Sequence, residues 1–430
     1  MTLYDYLISH RNEDGIPILS KTEWDYINAN HSKEDIIAEL IRLIETTRPP
    51  CPLRKIHPDA AQHSFWSLTF ADLKNAFLSY EESKDRVIEK FEDYGRNYRE
   101  HGLGILQMGS QYNDVSNFFH QDLRYNCDAW GYKSPIYRWN HSDNLRQVFL
   151  CLWRLNSTKD LSISSYNEAF RLSAYIATQF KPQIAKFFYQ ITNAKTVFDS
   201  SCGWGDRLAG FYCSDAQEYY GTDPNDQTYE RYFQQCLAYE KFLGSDVTTE
   251  KNDNFFIVQG KKRVEIHRKP AEDFDYSILL PIDCAFTSPP YFATEKYNTD
   301  GKHADEQSWA RYTTYEEWRD GFYLPVNRKT FESLSENGYQ FVNIMDPKIK
   351  TKRYYASDDL IDDLTANGAH FCGQMGMRIM QRPKNIPKEQ LDEFLNKVYI
   401  EPVWCFSKKS QKFTLADDYI NKGALDSFFG

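Results

Sequence analysis

Ser32 and Asp35 stand three residues apart, just ahead of Ile36, Ile37, Leu40, Ile41 and Ile44. That spacing is a helix-start signature followed by one apolar helical stripe. The stripe should end before Pro49-Pro50, because a proline interrupts the i to i−4 hydrogen-bond ladder. A second helical stretch is expected at about 71–98, carrying Leu73, Phe77, Val87, Phe91, Tyr94 and Tyr98. Up to about residue 165 the chain reads as mostly helical and irregular.

From about 166 the pattern becomes helix and strand in alternation. Pro182 suits the first turn of a helix through Gln190, where its missing N–H is no loss. Lys195–Asp199 reads as a short apolar strand, Trp204–Cys213 as a helix, and Tyr219–Asp223 as a second strand with an acidic end. Thr228–Leu243 follows as a helix, then Phe255–Val258 or Val264–His267 as the third strand, and Cys284–Thr287 as the fourth. A helix near 314–335, a strand at Tyr339–Met345, a helix near 357–366 and strands at His370–Met380 and Val398–Lys408 complete the run. The last two strands have the look of an antiparallel pair across a long connection. Strands alternating with helices predict a doubly wound α/β sheet, with ligands at the carboxyl ends of its strands. The expected division is a mostly helical N-terminal domain over 1–165, candidate for target recognition, and the sheet domain over 166–430.

Composition changes this picture in a few places. A chain of 430 residues can hold two domains. No apolar run approaches 18 residues, and the N-terminus lacks a basic stretch leading into an apolar one, so neither a membrane span nor a signal peptide is expected. The nine cysteines are scattered, without a C-x-x-C pair, which suits reduced thiols in an intracellular (cytoplasmic) setting. The ten histidines show no metal-ligand spacing, so no metal is expected. A net charge of −10 argues against a protein that lives by phosphate contacts, unless a basic groove is local. Candidate basic stretches are Lys261-Lys-Arg263, His267-Arg-Lys269 and Lys348-Ile-Lys-Thr-Lys-Arg353, each with a solvated loop as the plain alternative.

The chemistry concentrates in two runs. In Asp199-Ser-Ser-Cys-Gly-Trp-Gly-Asp-Arg207, glycines follow a strand end, where a missing Cβ and a positive φ let a ligand approach the backbone. The helix after them offers N–H groups to an anion. In Thr287-Ser-Pro-Pro-Tyr291, the Ser288 hydroxyl and the Pro289 carbonyl are two acceptors for a planar amine, and Pro289 and Pro290 stiffen the chain that carries them. Tyr291 can stack on a flipped-out base, and Phe292 can extend that wall. Glu295 lies near enough in sequence to accept a proton or shape the pocket, or is an exposed loop acid.

Taken together, the two runs resemble the signature motifs of S-adenosylmethionine-dependent methyltransferases acting on exocyclic amines, chiefly DNA amino-methyltransferases. The resemblance covers about 176–410 and implies a seven-stranded, Rossmann-like class I methyltransferase sheet with S-adenosylmethionine as cofactor. It implies that Asp199 holds the methionine amino group and that Asp223, in Gly221-Thr-Asp-Pro-Asn225, takes the ribose hydroxyls. Glu272 or Asp273 is then the partner of the adenine amino group, and Phe180, Cys202, Gly203 and Gly205 line the cofactor. Arg207 meets either the cofactor carboxylate or a neighbouring acid, while Trp204 packs under the loop. Gln179-Phe-Lys-Pro182 is similar to the segment closing over the methionine end, and Glu401-Pro-Val-Trp-Cys-Phe406 to the late strand with an acid and aromatics. Serine at position 288 is commonest in cytosine N4 enzymes, which puts cytosine N4 slightly ahead of adenine N6. DNA is the expected partner, with RNA or a protein amide as alternatives and an idle nucleic-acid-binding subunit as a different class. Expected nucleic-acid contacts are Arg124, Lys133 and Arg138, within Phe118–Arg124 and Trp130–Trp139, together with Lys352 and Arg353.

Overall fold

The computed structural model describes residues 1–89, 96–129, 131–154, 160–297, 299, 301–379 and 398–410. Its centre is the short apolar strand β1 (Thr196–Asp199). This strand pairs in parallel with β2 (Glu218–Thr222) on one side and β4 (Ile282–Thr287) on the other. β2 leads outward to β3 (Arg263–His267), and β4 to β5 (Leu334–Asn343), both in parallel. β7 (Val398–Ser407) is antiparallel to β5 and also to β6 (His370–Arg378) beyond it. The central order is therefore 6-7-5-4-1-2-3 with only β7 reversed, the class I methyltransferase sheet.

Both faces are covered, which is why the central strands are near-continuous apolar runs. Val197, Phe286 and Phe341 pack on one side with Phe188, and Phe198, Ala285 and Val342 pack on the other with Trp404. Helices α1 (Pro182–Ile191), α2 (Asp206–Tyr212) and α3 (Asp226–Phe242) flank the first half of the sheet, and α4 (Leu324–Glu332) and α5 (Ala356–Ala366) the second. Pro182 takes the first turn of α1 as expected.

Both candidates for the third strand are strands. Arg263–His267 is the parallel one, and Phe255–Gln259 extends the sheet beyond it in antiparallel with Thr248–Lys251. The helix expected near 314–335 is broken into Tyr315–Trp318, a π-turn at Arg319–Tyr323, and α4. Pro325 explains the break, since it has no N–H to continue the α ladder through that turn.

The single helix expected at about 71–98 does not form. A 3₁₀ turn at Lys74–Ala76, a strand at Phe77–Ser79, a short helix at Tyr80–Ser83 and a strand at Val87–Glu89 stand in its place, and Phe91 and Tyr94 lie outside the described residues. Sheet pairing overrides local helical spacing here. Phe77–Ser79 pairs with Gly102–Leu106, which lies beside β6, and Val87–Glu89 lies beside β7. Segment 58–120 accordingly belongs to the sheet's compact unit with 179–294 and 300–430, whereas the expected boundary lay at 165.

The other compact unit comprises 1–57, 121–178 and 295–299. It is helical, with a core of Ile36, Ile37, Leu40, Trp139, Phe149 and Tyr166. Ser32 caps the helix Lys33–Thr47 by accepting from the Asp35 N–H at 3.1 Å, and the helix ends on Arg48, ahead of the two prolines. Among the described residues no helix is long and apolar enough to cross a membrane.

Candidate functional site

The carboxyl ends of β1, β2 and β4 carry the two sequence motifs, and one hydrogen bond joins them. Ser200, just after β1, donates from its buried hydroxyl to the Thr287 hydroxyl at 3.1 Å, at the end of β4. Parallel pairing of adjacent strands places the glycine loop and Ser288-Pro-Pro-Tyr291 side by side, although they are far apart in sequence.

Within the loop, Gly203 and Gly205 both adopt positive φ, at 59° and 69°. A Cβ at Gly205 would come within 2.2 Å of Gln235 Oε1 and 2.7 Å of His120 Nε2, so that glycine serves close packing. A Cβ at Gly203 would meet nothing nearer than 3.7 Å. A Cβ there would make ordinary van der Waals contact, so it is the positive φ that calls for glycine at this position. Gln235 donates to the Gly205 carbonyl at 2.8 Å and Tyr232 donates to the Gly203 carbonyl, so α3 holds the loop from behind. Trp204 is buried, as expected of a residue packing under the loop.

Asp223 stands half-buried just past β2. It accepts from the Gly203 N–H at 3.0 Å, the Asn225 N–H at 3.0 Å and the Tyr232 hydroxyl at 3.3 Å. Burial pushes its carboxyl up to about 6 against these hydrogen bonds. Three donors fill three of roughly four acceptor positions on a carboxylate, leaving one for a ligand hydroxyl.

Asp199 is wholly buried and committed to the protein. Its Oδ2 accepts from Arg207 Nε at 2.8 Å and from the Tyr219 hydroxyl at 2.8 Å, and its Oδ1 from the Ser201 N–H at 3.2 Å. Of the two partners left open for Arg207, the structure selects the neighbouring acid. Burial works against the Arg207 charge, but Asp199 outweighs it and raises the guanidinium above its ordinary pKa. Asp199 therefore braces the loop, a commitment that its expected role as holder of a ligand ammonium did not include. Arg207 also donates to the Ser201 carbonyl and lies 5.4 Å from the Phe180 ring centroid, which ties the Gln179–Pro182 segment to the loop. Cys202 is buried, with its thiol 3.7 Å from the Tyr219 hydroxyl.

Glu272 and Asp273 share Arg311, which donates to them at 2.7 and 2.8 Å, and Glu272 also accepts from the Tyr312 hydroxyl at 2.8 Å. Burial pushes the Glu272 carboxyl up. Asp273 is half-exposed and so the more accessible of the two.

On the clamp side Pro289 is buried, with Ser288, Pro290 and Tyr291 half-buried. The Tyr291 hydroxyl lies 2.6 Å from Glu401 Oε1 and 3.3 Å from the Asn343 carbonyl. Phe292 continues into an aromatic cluster with Tyr315, Trp318 and Tyr354 at centroid distances of 5.8, 6.1 and 5.9 Å. The side chain of Glu295 lies outside the described residues.

The basic candidates divide sharply. Arg124 and Arg138 are buried, donating to the Ala177 carbonyl and to Gln147 Oε1, both at 2.8 Å. Neither presents a surface cation, so nucleic-acid contacts expected there are corrected to structural bonds. Lys133 is exposed but pairs with Asp128 at 2.7 Å and lies over the Tyr137 ring. Trp139 is core, donating to the Pro49 carbonyl, and Trp130 lies outside the described residues. Lys262 is buried and donates to three carbonyls at the end of α2, while Arg263 and His267 both bond Glu265 and Arg268 bonds Glu306. Lys262, Arg263, His267 and Arg268 are therefore spent on the fold. The third basic stretch is a two-stranded hairpin, Lys348–Ile349 against Lys352–Arg353, reached from the carboxyl end of β5. Lys348, Lys350 and Lys352 are exposed there, Lys352 lies 4.4 Å from the Tyr354 ring centroid, and Arg353 donates to the Asp346 carbonyl at 3.2 Å.

Sequence reasoning missed Tyr219, Tyr232, Gln235 and Asn343, whose polar ends converge on the motifs. Their positions in apolar elements read as core, and only the fold aims their polar atoms at the site.

No protein-family model matches the chain, and no curated protein matches it. Solved structures that it resembles include Trm1 from Pyrococcus horikoshii in complex with S-adenosyl-L-methionine (12% identity, TM-score 0.33, 56% of this chain and 58% of that one). A SAM-dependent O-methyltransferase from Thermotoga maritima (10%, TM-score 0.31, 56% and 71%) and an rRNA methylase from Streptococcus thermophilus (14%, TM-score 0.28, 54% and 99%) are similar to a like degree. The match spans little more than half the length of the first of these.

Proposed function

We propose that this chain transfers a methyl group from S-adenosylmethionine to the exocyclic amine of a base in DNA, with cytosine N4 slightly ahead of adenine N6. The observation that carries the reading is the Ser200–Thr287 hydrogen bond, which seats the glycine loop against a proline-stiffened pair of acceptors.

The residues fit the cofactor. Gly203 supplies a left-handed turn without a Cβ, Asp223 keeps an acceptor position for a ribose hydroxyl, and Phe180 and Cys202 flank the loop. Gly205 shapes the loop from within its packing, and Asp273 is the better placed of the two acids for an adenine amine. Bound there, S-adenosylmethionine supplies an activated methyl on its sulfonium. The protein's own part is alignment. An aromatic amine has its lone pair delocalised into the ring. Acceptance of its two N–H bonds by the Ser288 hydroxyl and the Pro289 carbonyl turns that lone pair out of the ring plane. Because Pro289 and Pro290 fix the backbone beforehand, the acceptors need no reorganisation when the base arrives. Tyr291 stacks on the base face, and the exposed lysines of the 348–353 hairpin, Lys352 with Arg353 among them, suit the phosphates beside it. No tuned general base is needed, since the methylated amine is strongly acidic until it loses its proton.

The net charge of −10 favours a second reading, in which the same clamp takes an amine of RNA or a protein amide. Methyl-deuterated cofactor, incubated with unmodified duplex DNA and with total RNA and followed by nucleoside mass spectrometry, decides between them. Labelled N4-methylcytosine or N6-methyladenine from DNA supports the first reading, and label in RNA alone supports the second. Bound cofactor without label in either points to a protein amide, and no cofactor binding at all points to an idle binding subunit.

A further inference from the structure

Glu401 lies far from both motifs in sequence, yet it bonds to the last residue of the clamp. β7 runs antiparallel to β5, with Val403 opposite Asn343, so Glu401 projects just past the carboxyl end of β5. β4 runs parallel to β5 with Thr287 opposite Val342, so Ser288 leaves the sheet at the same level. Three strands therefore deliver Ser288, Asn343 and Glu401 to one edge. There the Tyr291 hydroxyl is 2.6 Å from Glu401 Oε1, and Asn343 Nδ2 donates to the same oxygen at 3.2 Å and to the Pro402 carbonyl at 3.1 Å.

A phenol has one hydrogen to give. The carboxylate at 2.6 Å takes it in preference to the Asn343 carbonyl at 3.3 Å, because a charged acceptor makes the shorter and stronger bond. Asn343 holds the carboxylate in turn from the side. Lys181, half-buried, donates to the Met108 and Arg378 carbonyls at 2.5 and 3.2 Å. The Tyr291 ring is thus held at both ends, by two prolines at its backbone and by Glu401 at its hydroxyl.

Resting on the reading above, we infer that Glu401 is a positioning residue, locking the plane of the Tyr291 ring so that a stacked base meets Ser288 and Pro289 in register. It touches neither base nor cofactor. Its effect is on orientation, to which transfer between aligned groups is steeply sensitive.

The test uses the full chain with the nucleic acid that the wild-type protein methylates. Tyr291→Phe removes only the hydroxyl and keeps the ring, Glu401→Ala removes the acceptor, and Glu401→Gln keeps an acceptor oxygen. Cofactor affinity by calorimetry and kcat and KM by label transfer are measured for each. The expected result is a fall in kcat of about 10- to 100-fold for Tyr291→Phe and Glu401→Ala alike. Cofactor affinity should be unchanged, no further loss should appear in the double variant, and most activity should return in Glu401→Gln. A merely structural role would instead lower cofactor affinity and melting temperature together and give independent losses. Full activity of Tyr291→Phe beside an active wild-type protein overturns the inference alone. Failure of the wild-type protein to transfer label to any substrate overturns the underlying reading and the inference with it.

Discussion

Arg207 donates from Nε to Asp199 Oδ2 at 2.8 Å, and both side chains are buried at the end of the central strand. The acid that the motif offers for a ligand ammonium is thereby neutralised from within. The pair fixes the strand-to-helix turn. It also orients Ser201, whose N–H bonds Asp199 and whose carbonyl bonds Arg207. Removing one partner strands the other charge in a dry interior. Arg207→Met is therefore expected to cost about 3–5 kcal/mol in urea unfolding. The double variant Asp199→Asn with Arg207→Met should recover part of that loss. An additive loss would show that the two residues act separately.

Asp223 carries a pH prediction. Burial holds its carboxyl at about 6, above the ordinary aspartate value, and it accepts a ligand hydroxyl best when ionised. Cofactor affinity should fall as pH drops below about 6, and binding near pH 6 should release protons, seen as buffer-dependent heats in calorimetry. For the free protein the sign is reversed. A group whose folded pKa is raised contributes stability that is present below its unfolded value, about 3.9, and lost as pH rises through about 6. Asp223→Ala should weaken cofactor binding about 10- to 100-fold, as expected for loss of a charged hydrogen-bond acceptor. Ser288→Ala should leave that affinity unchanged and lower turnover.

The two loop glycines should separate in their effects. At Gly205 a Cβ collides with Gln235 and His120, so Gly205→Ala should destabilise the fold by about 1–3 kcal/mol. At Gly203 a Cβ makes only ordinary contacts and the cost is the φ of 59°, so Gly203→Ala should show a smaller thermal shift and a larger loss of cofactor affinity. Thermal unfolding with and without cofactor distinguishes the two.

The hairpin can be tested through salt. Replacing Lys348, Lys350 and Lys352 together by Gln should weaken binding of any nucleic-acid substrate. It should also reduce the slope of log affinity against log salt by about 2–3, roughly 0.7–0.9 for each phosphate no longer neutralised. The hairpin is exposed, so melting temperature should not move. An unchanged slope would remove these lysines from the interface.

The division between what was legible beforehand and what was not has a physical basis. Apolar runs of four to six residues between helical patterns announced the parallel strands, because a sheet covered on both faces leaves no polar alternation to confuse them. Glycines after one strand and prolines after another marked the two loops, since those residues change the backbone locally, whatever surrounds them. Local signals failed where a distant strand decided the outcome. The apolar spacing of 71–98 suited a helix, but pairing beside β6 and β7 drew its apolar residues into sheet edges.

The site shows the same split. Ser288, Pro289 and Tyr291 stand in one short run and Gly203 in another, so residue type and local spacing named them, while Asp223 was named by the resemblance those runs carry. That Arg207 closes on Asp199, that Arg124 and Arg138 are interior, and that Glu401 reaches Tyr291 depended on how the chain folds around each group, over separations from eight residues for Arg207 and Asp199 to 110 for Tyr291 and Glu401. The chain by itself determined which backbone segments are stiff, open or apolar, because those are properties of single residues and their neighbours. Only the tertiary structure decided which charges are spent on one another and which face solvent, because an ion pair or a buried guanidinium is a property of two places at once.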